Sequence, residues 1–188
     1  MSILEIWIDN DWVIKTLIVA TLAVFLIALE KSYQFFKVYK ALKSLSTIEK
    51  VNKYASLEES EVKDILEDVD GFKDEDKALF NSNVGVKLDI FESSQMRYVG
   101  IIATIATLSP MLGLIGTFIG VWHVFEGVGS VGLNDPAIIA RGIKEVLIDT
   151  MAGLIVAVIA MVFYKTFEHL GQKNIMNFED RLYKLLKN

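Results

Sequence analysis

The sequence predicts an all-α membrane protein with three transmembrane helices, and three observations lead to this fold class. Its 188 residues are 53% hydrophobic with a mean hydropathy of +0.41, whereas about 45–50% apolar residues, glycine included, is usual for soluble domains. Only two Pro occur among many Leu, Ile, Val and Ala residues, a composition that favours long helices. Three apolar segments divide the chain. Sixteen of the 19 Lys and Arg residues lie between the first and second segments or from Lys165 onwards.

Residues 12–30 are the first predicted transmembrane helix. The first 18 of them are apolar apart from Lys15, whose long side chain can reach the nearby membrane surface. Trp7 and Trp12 suit the same interface. A buried helix of a soluble protein is the alternative interpretation of this segment. Residues 1–11 contain three acids and no Lys or Arg, so they do not predict a secretory signal peptide.

Residues 31–97 are predicted to be a water-soluble helical region. They contain ten Lys and one Arg, together with the acidic run "LEESEVKDILEDVDGFKDEDKALF". We interpret this charge run as a solvated helix face, with a break in the helical structure near Gly71.

The second predicted transmembrane helix, residues 98–125, carries the strongest membrane signal in the chain. Its 28 residues have no formal charge. As a helix they would extend about 42 Å, which is more than the bilayer core of about 30 Å. Pro110 lies inside the segment, and membrane helices tolerate proline where neighbouring groups satisfy the freed carbonyl. The polar residues 126–141 that follow predict a short connecting loop.

The third predicted transmembrane helix, residues 142–165, takes an acid into the membrane. Its wholly uncharged part has only 15 residues, from Thr150 to Tyr164. That part would extend about 22 Å as a helix, which is too little for the bilayer core. A spanning helix must therefore begin before Asp149.

The distribution of Lys and Arg indicates how often the chain crosses the membrane. Sixteen of the 19 such residues lie in 31–97 or from Lys165 onwards. Three crossings place both regions on one side, which the positive-inside rule assigns to the cytoplasm. Two crossings would instead export the positively charged tail. With three crossings, residues 1–11 and the 126–141 loop are periplasmic.

Residues 166–188 predict a cytoplasmic C-terminal helix. An apolar stripe at helical spacing follows this helix, and we expect the stripe to pack against the other soluble helices. The residues of the stripe are Phe167, Leu170, Phe178, Leu182, Leu185 and Leu186.

One face of the third transmembrane helix combines small residues with two acids. At 100° per residue, six residues of this helix fall within an arc of about 80°. They are Glu145, Asp149, Ala152, Gly153, Val156 and Ala160. Small residues allow helices to approach closely, and acids within a membrane face a bundle interior or a wet cavity. Two alternatives are open, namely Glu145 as an interfacial residue at the helix start and Asp149 as an ion-pair partner of a neighbour. Thr150 lies at the shoulder of this face.

The second transmembrane helix has a similar face. One narrow stripe at helical spacing contains Ala106, Pro110, Gly113, Thr117, Gly120 and Val124. Gly116 and Gly120 add a small-xxx-small pair, and Thr117 suits either a packing or a conducting role. Because three helices cannot bury two such stripes unaided, we expect self-association, most economically as a ring with the stripes facing inward.

Several classes of function lack support in the sequence. There is no Cys, and the two His, at 123 and 169, are far apart, so neither a disulfide nor a metal site is predicted. The sequence contains no nucleophile–base pair or phosphate-binding loop, so we expect neither an enzyme nor a cofactor. The net charge of −5 also argues against nucleic acid as a partner.

Two segments of the chain resemble the MotA/TolQ/ExbB proton-channel family, namely "LSPMLGLIGTFIGVWHVF" at 108–125 and "GIKEVLIDTMAGLIVAVIAMVFYK" at 142–165. The order of parts is that of ExbB and TolQ, whereas MotA has four spans. The resemblance implies a bacterial inner-membrane protein that forms a pentameric ring around two copies of an ExbD- or TolR-like protein. That partner contributes a single transmembrane helix with an essential Asp. Proton flow then rotates the ring and passes force to a TonB- or TolA-like protein.

The resemblance also implies roles for individual residues. Thr117 of "GLIGT" and Thr150 of "EVLIDT" become pore-lining hydroxyls, and Glu145 of "GIKEVL" becomes the polar carboxylate of the family. Two positions depart from the family pattern. Ile159 replaces a frequent Pro, and Asp149 replaces a frequent Ala and so adds a charge beside the pathway.

The resulting hypothesis is an ion-channel subunit of a motor driven by the proton-motive force. The residues assigned to its ion pathway are Thr117, Thr150, Glu145 and Asp149. The small residues assigned to helix packing and pore lining are Pro110, Gly113, Gly116, Gly120 and Gly153. A non-conducting oligomeric scaffold in the lipid bilayer is the alternative. TonB-type, Tol-type and gliding motors, with H⁺ or Na⁺ as the ion, are all open.

Overall fold

A computed structural model of the protein describes residues 12–45, 62–65, 77–131 and 136–187. These residues are helical except for the two-residue turn at Arg97 and Tyr98, which confirms the all-α prediction. Four helices account for most of them: α1 (Trp12–Leu45), α2 (Lys77–Met96), α3 (Val99–Val131) and α4 (Pro136–Lys187). The break predicted near Gly71 and the predicted periplasmic residues 1–11 lie outside the described residues.

Three of the helices contain a stretch that is long and apolar enough to cross a membrane. These stretches are Trp12–Lys43 in α1, Val99–Gly127 in α3 and Gly142–Lys184 in α4. Large apolar side chains on all three are exposed, among them Leu26, Phe118 and Val158. A bilayer would remove this surface from water, so the protein is an all-α membrane protein with three candidate transmembrane helices.

The helices are longer than the apolar segments that they contain. α3 continues to Val131 and α4 already begins at Pro136, so both helices take in parts of the predicted 126–141 loop. Proline suits a helix start because its missing N–H and fixed φ cost nothing there. α4 then continues for 52 residues. It joins the predicted third transmembrane helix to the predicted tail helix, since the sequence has no proline after residue 136.

The chain divides into two compact units, each with its own core. The first unit consists of residues 1–27 and 100–164. Its described core joins the N-terminal half of α1 to α3 and α4. The core contains Val13, Leu17 and Val156, with Ile105, Leu112, Ile119 and Ala152 packed against them. Phe25 and Phe163 add an edge-to-face ring pair with centroids 5.8 Å apart, a favoured geometry for aromatic rings.

The second unit consists of residues 28–99 and 165–188. Its described core brings together Val38, Ala41, Leu42, Val62, Ile65, Val84, Phe91, Phe178 and Leu182. The predicted packing of the tail stripe is therefore confirmed at Phe178 and Leu182. Leu170 is 38% exposed, and the side chains of Leu185 and Leu186 lie outside the description.

Lys31 is a buried cation at the C-terminal end of α2. Lys31 belongs to the region 31–97 that the sequence predicts to be water-soluble, yet only 1% of it is exposed. Its ammonium group donates to the backbone oxygens of Ser94 and Gln95 at 3.1 and 3.2 Å, and to Gln34 Oε1 at 3.0 Å. A cation at this position satisfies free carbonyls and complements the helix dipole. The next turn includes Tyr98 with a φ of 66°, where α2 gives way to α3.

Replacing Lys31 with alanine is expected to destabilise the second unit. The two carbonyl groups would lose a charged donor in a buried position, which costs about 1–3 kcal/mol. Thermal unfolding of the purified protein in mild detergent, followed by circular dichroism, measures the effect. Lys37→Ala is the matched control, because Lys37 is exposed on the same helix. Equal melting temperatures for the two variants would show that Lys31 does not stabilise the end of α2.

Candidate functional site

The contact between α3 and α4 in the first unit is built around glycines. A Cβ atom added at Gly113 would lie 3.0 Å from the Asp149 backbone oxygen and 3.3 Å from the Thr150 and Gly153 Cα atoms. A Cβ added at Gly120 would lie 2.6 Å from the Val146 side chain. Such distances are below ordinary van der Waals separation, so the missing side chains are what allow the helices to approach this closely.

At Gly153, α4 approaches the backbone of α3 closely. A Cβ added there would lie 2.6 Å from the Ser109 backbone oxygen and 3.0 Å from the Gly113 Cα. Ser109 is buried, and its hydroxyl donates to the Ile105 carbonyl at 2.7 Å. Pro110 follows within the same helix and is half-buried. The helices therefore meet backbone to backbone at this level.

Asp149 lies in the same contact, one helical turn from Gly153. Asp149 is 7% exposed. A Cβ added at Gly116 would lie 2.5 Å from Asp149 Oδ2, 2.8 Å from its Cβ and 2.9 Å from its Cγ. The carboxylate therefore occupies the space that a side chain at position 116 would take.

The structure brings Thr117 and Thr150 to this short section of the α3–α4 pair. Thr150 follows Asp149, and its Oγ1 donates to the Val146 carbonyl at 3.4 Å. Thr117 follows Gly116, and its Oγ1 donates to the Leu114 carbonyl. Both side chains are half-buried. Each hydroxyl donates a hydrogen bond to a carbonyl of its own helix. Its oxygen lone pairs are therefore the groups that can accept a hydrogen bond or contact an ion.

Glu145 lies in α4, four residues before Asp149, and belongs to the helical part of the chain. Its side chain lies outside the description. Its predicted role at the outer end of the pathway therefore stays a prediction.

The small-residue faces of α3 and α4 are turned towards each other within one chain. On α4, Asp149, Val156 and Ala160 are buried, as is Gly153. A single chain therefore buries part of these stripes, whereas Pro110, Thr117 and Gly120 on α3 are only half-buried. The expectation that several copies bury the rest stays a prediction.

Sequence reasoning did not include Ser109 and Val146 among the contact residues. Ser109 lies four residues before Gly113, so extending the small-residue spacing by one turn finds it. Val146 is neither small nor polar, and its contact with Gly120 has no signal in the sequence.

The chain is similar to known proteins over much of its length. It matches the profile of the MotA/TolQ/ExbB proton channel family over residues 40–180. This range includes the end of α1, all of α2 and α3, and most of α4.

Individual relatives match shorter parts. The chain is 49% identical over 77 residues to the "Putative biopolymer transport protein ExbB homolog" of Methanothermobacter thermautotrophicus, covering 40% of this chain and 26% of that protein. It is 34% identical over 97 residues to "Biopolymer transport protein ExbB" of Salmonella typhimurium, covering 50% and 40%. It is 39% identical over 66 residues to "Tol-Pal system protein TolQ" of Pseudomonas aeruginosa, covering 35% and 29%. The chain thus matches less than half the length of each of these relatives.

Proposed function

Because this chain belongs to the MotA/TolQ/ExbB proton channel family, we propose that it is the ion-channel subunit of a motor driven by the proton-motive force. The protein is a multi-pass inner-membrane protein close to ExbB and TolQ. One observation carries the proposal. Two threonine hydroxyls and a buried carboxylate lie in one short section of two close-packed apolar helices.

In the proposed assembly, five copies form a ring around two copies of an ExbD- or TolR-like single-span protein. Thr117 and Thr150 line the path on the ring, and the partner's helix supplies the essential Asp. Glu145 shapes the outer entrance. The N-terminus is periplasmic and the second unit is cytoplasmic, because sixteen of the 19 Lys and Arg residues lie in 31–97 or from Lys165 onwards.

Proton flow supplies the work in this mechanism. Each proton that crosses the membrane releases about 2.3 kcal/mol per 100 mV. A hydroxyl lone pair on the path can accept a hydrogen bond from a hydrated proton or from a protonated carboxyl group. Rotation of the ring about the partner pair then transmits force to a TonB- or TolA-like transducer.

Thr150→Val is the substitution that tests this proposal. Valine keeps the shape of threonine but removes the oxygen. We expect proton flux through the chain with its partner in liposomes to fall by about ten- to a hundredfold, as for the loss of a hydrogen bond to a charged group of about 1.5–3 kcal/mol. A pH-sensitive dye inside the liposomes measures this flux. Thr104→Val is the control, since Thr104 is exposed on α3 and also donates to its own helix.

A non-conducting oligomeric scaffold is the second candidate function. One observation favours it, because Gly113, Gly116 and Gly153 have a packing role between α3 and α4 that requires no ion. The same liposomes separate the two functions. Wild-type protein that gives no flux with its partner present would favour the scaffold, and full flux through Thr150→Val would refute the assigned pathway.

A further inference from the structure

The carboxylate of Asp149 is the group in this contact that packing alone does not require. The close approach of α3 to α4 at Gly113 and Gly153 involves backbone atoms, so it does not depend on a carboxylate at position 149. An acid inside a membrane helix costs free energy, and such residues generally serve an ion or proton pathway. An acid at this buried position therefore points to a use for its charge.

The neighbouring helix provides a space that fits this carboxylate. The Gly116 Cα faces Asp149 so closely that a Cβ there would overlap Oδ2, Cβ and Cγ of the acid. Gly100 in the same helix has nothing within 4 Å of an added Cβ. The Cβ, Cγ and Oδ2 atoms of Asp149 thus exclude a side chain at position 116, whereas a side chain at position 100 would meet nothing.

We propose that Gly116 and Asp149 are a matched pair, in which the glycine seats a carboxylate that exchanges protons within the subunit itself. This rests on the proposed channel function. Asp149 takes a proton from water on the pathway onto a carboxylate oxygen and later returns it to water. It thereby adds one proton-exchanging group per subunit, next to Thr150, to those that the partner contributes.

Asp149→Asn tests the proton exchange. Asparagine has the same shape and still forms hydrogen bonds, but it does not take up and release a proton. We expect proton flux in liposomes containing the chain and its partner to fall at least about tenfold, with a melting temperature like that of the wild type. Asp149→Glu, which can still exchange protons, is expected to restore part of the flux. Unchanged flux through Asp149→Asn would overturn the inference. A loss of flux together with a lowered melting temperature would overturn it too.

Gly116→Ala tests the close contact between Gly116 and Asp149 by a double-mutant cycle. We expect it to lower the melting temperature clearly in the wild-type background. In an Asp149→Gly background, its effect should fall to that of Gly100→Ala, because the Cβ, Cγ and Oδ2 atoms that obstruct the new side chain are all gone. An equal effect of Gly116→Ala in both backgrounds would overturn the pairing.

The two sets of outcomes separate this inference from the channel function. The thermal cycle needs no flux, so it stands or fails regardless of conduction. Normal flux through Asp149→Asn, together with loss of flux in Thr150→Val, would refute only the role of Asp149. Absence of flux in the wild type with its partner would refute the channel function.

Discussion

Gly153→Ala is expected to separate α3 from α4 and to destabilise the first unit. The new Cβ would lie 2.6 Å from the Ser109 backbone oxygen and 3.0 Å from the Gly113 Cα. Both are backbone atoms, so no side-chain rotation relieves the overlap, and the helix axes themselves must move. Overpacking of this kind costs about 1–3 kcal/mol, and occasionally more. The shift would also carry Thr150 away from α3, so proton flux should fall together with stability.

The effect can be measured as thermal unfolding in detergent and as proton flux in liposomes. Gly100→Ala is the matched control, because it makes the same change in open space. Gly100 is in the first turn of α3, where alanine is tolerated in a helix at least as well as glycine. Gly100→Ala should therefore leave the melting temperature unchanged or raise it, whereas Gly153→Ala should lower it. A stabilising effect of Gly153→Ala would mean that the helices do not touch at this point.

Gly153→Ala and Gly116→Ala differ in whether a second substitution can restore the lost stability. At Gly116 the obstacle is the side chain of Asp149, which a further mutation can remove. At Gly153 the obstacle is the backbone of α3, which every residue type at position 109 or 113 shares. No single substitution on α3 should therefore rescue Gly153→Ala, whereas Asp149→Gly, which removes every obstructing atom, should rescue Gly116→Ala.

The sequence predicts the membrane-spanning part of the fold because length, charge and small-residue spacing have few interpretations there. The three apolar segments and the close-packed faces of α3 and α4 follow from these signals. The spacing does not say which helix a close-packed face meets. The stripes were expected to face a ring interior, and part of each, at Gly113, Asp149 and Gly153, is already buried between α3 and α4 of one chain. Periodicity defines a face but not its partner.

The end of α2 shows another limit of sequence reasoning. No Gly or Pro marks the break between Met96 and Val99. The helix ends where Lys31, 63 residues earlier, reaches the Ser94 carbonyl. A lysine beside an apolar segment is normally assigned to the membrane surface, since hydropathy carries no information about a distant hydrogen-bond acceptor. Such a long-range contact is visible only in the folded chain.

Phe178→Ala is expected to have the largest effect on the second unit. Phe178 and Phe91 are fully buried, and their ring centroids are 4.6 Å apart with the planes inclined at 47°. This ring pair joins α4 to α2, with Leu182 and Val84 in the same core. Removing a buried phenylalanine ring costs about 3–5 kcal/mol. Because α2 is largely polar outside this core, losing the pair should leave little to hold it against α4.

Hydrogen exchange of the detergent-solubilised protein, read by mass spectrometry, locates this effect. We expect peptides from α2 to exchange faster in Phe178→Ala. Peptides from residues 100–127 should keep their protection, because the first unit has a separate core. Tyr183→Ala is the control, since Tyr183 lies on the same helix and is 55% exposed. Wild-type exchange in α2, or the same loss of protection in Tyr183→Ala, would show that the Phe91–Phe178 pair does not hold α2 in place.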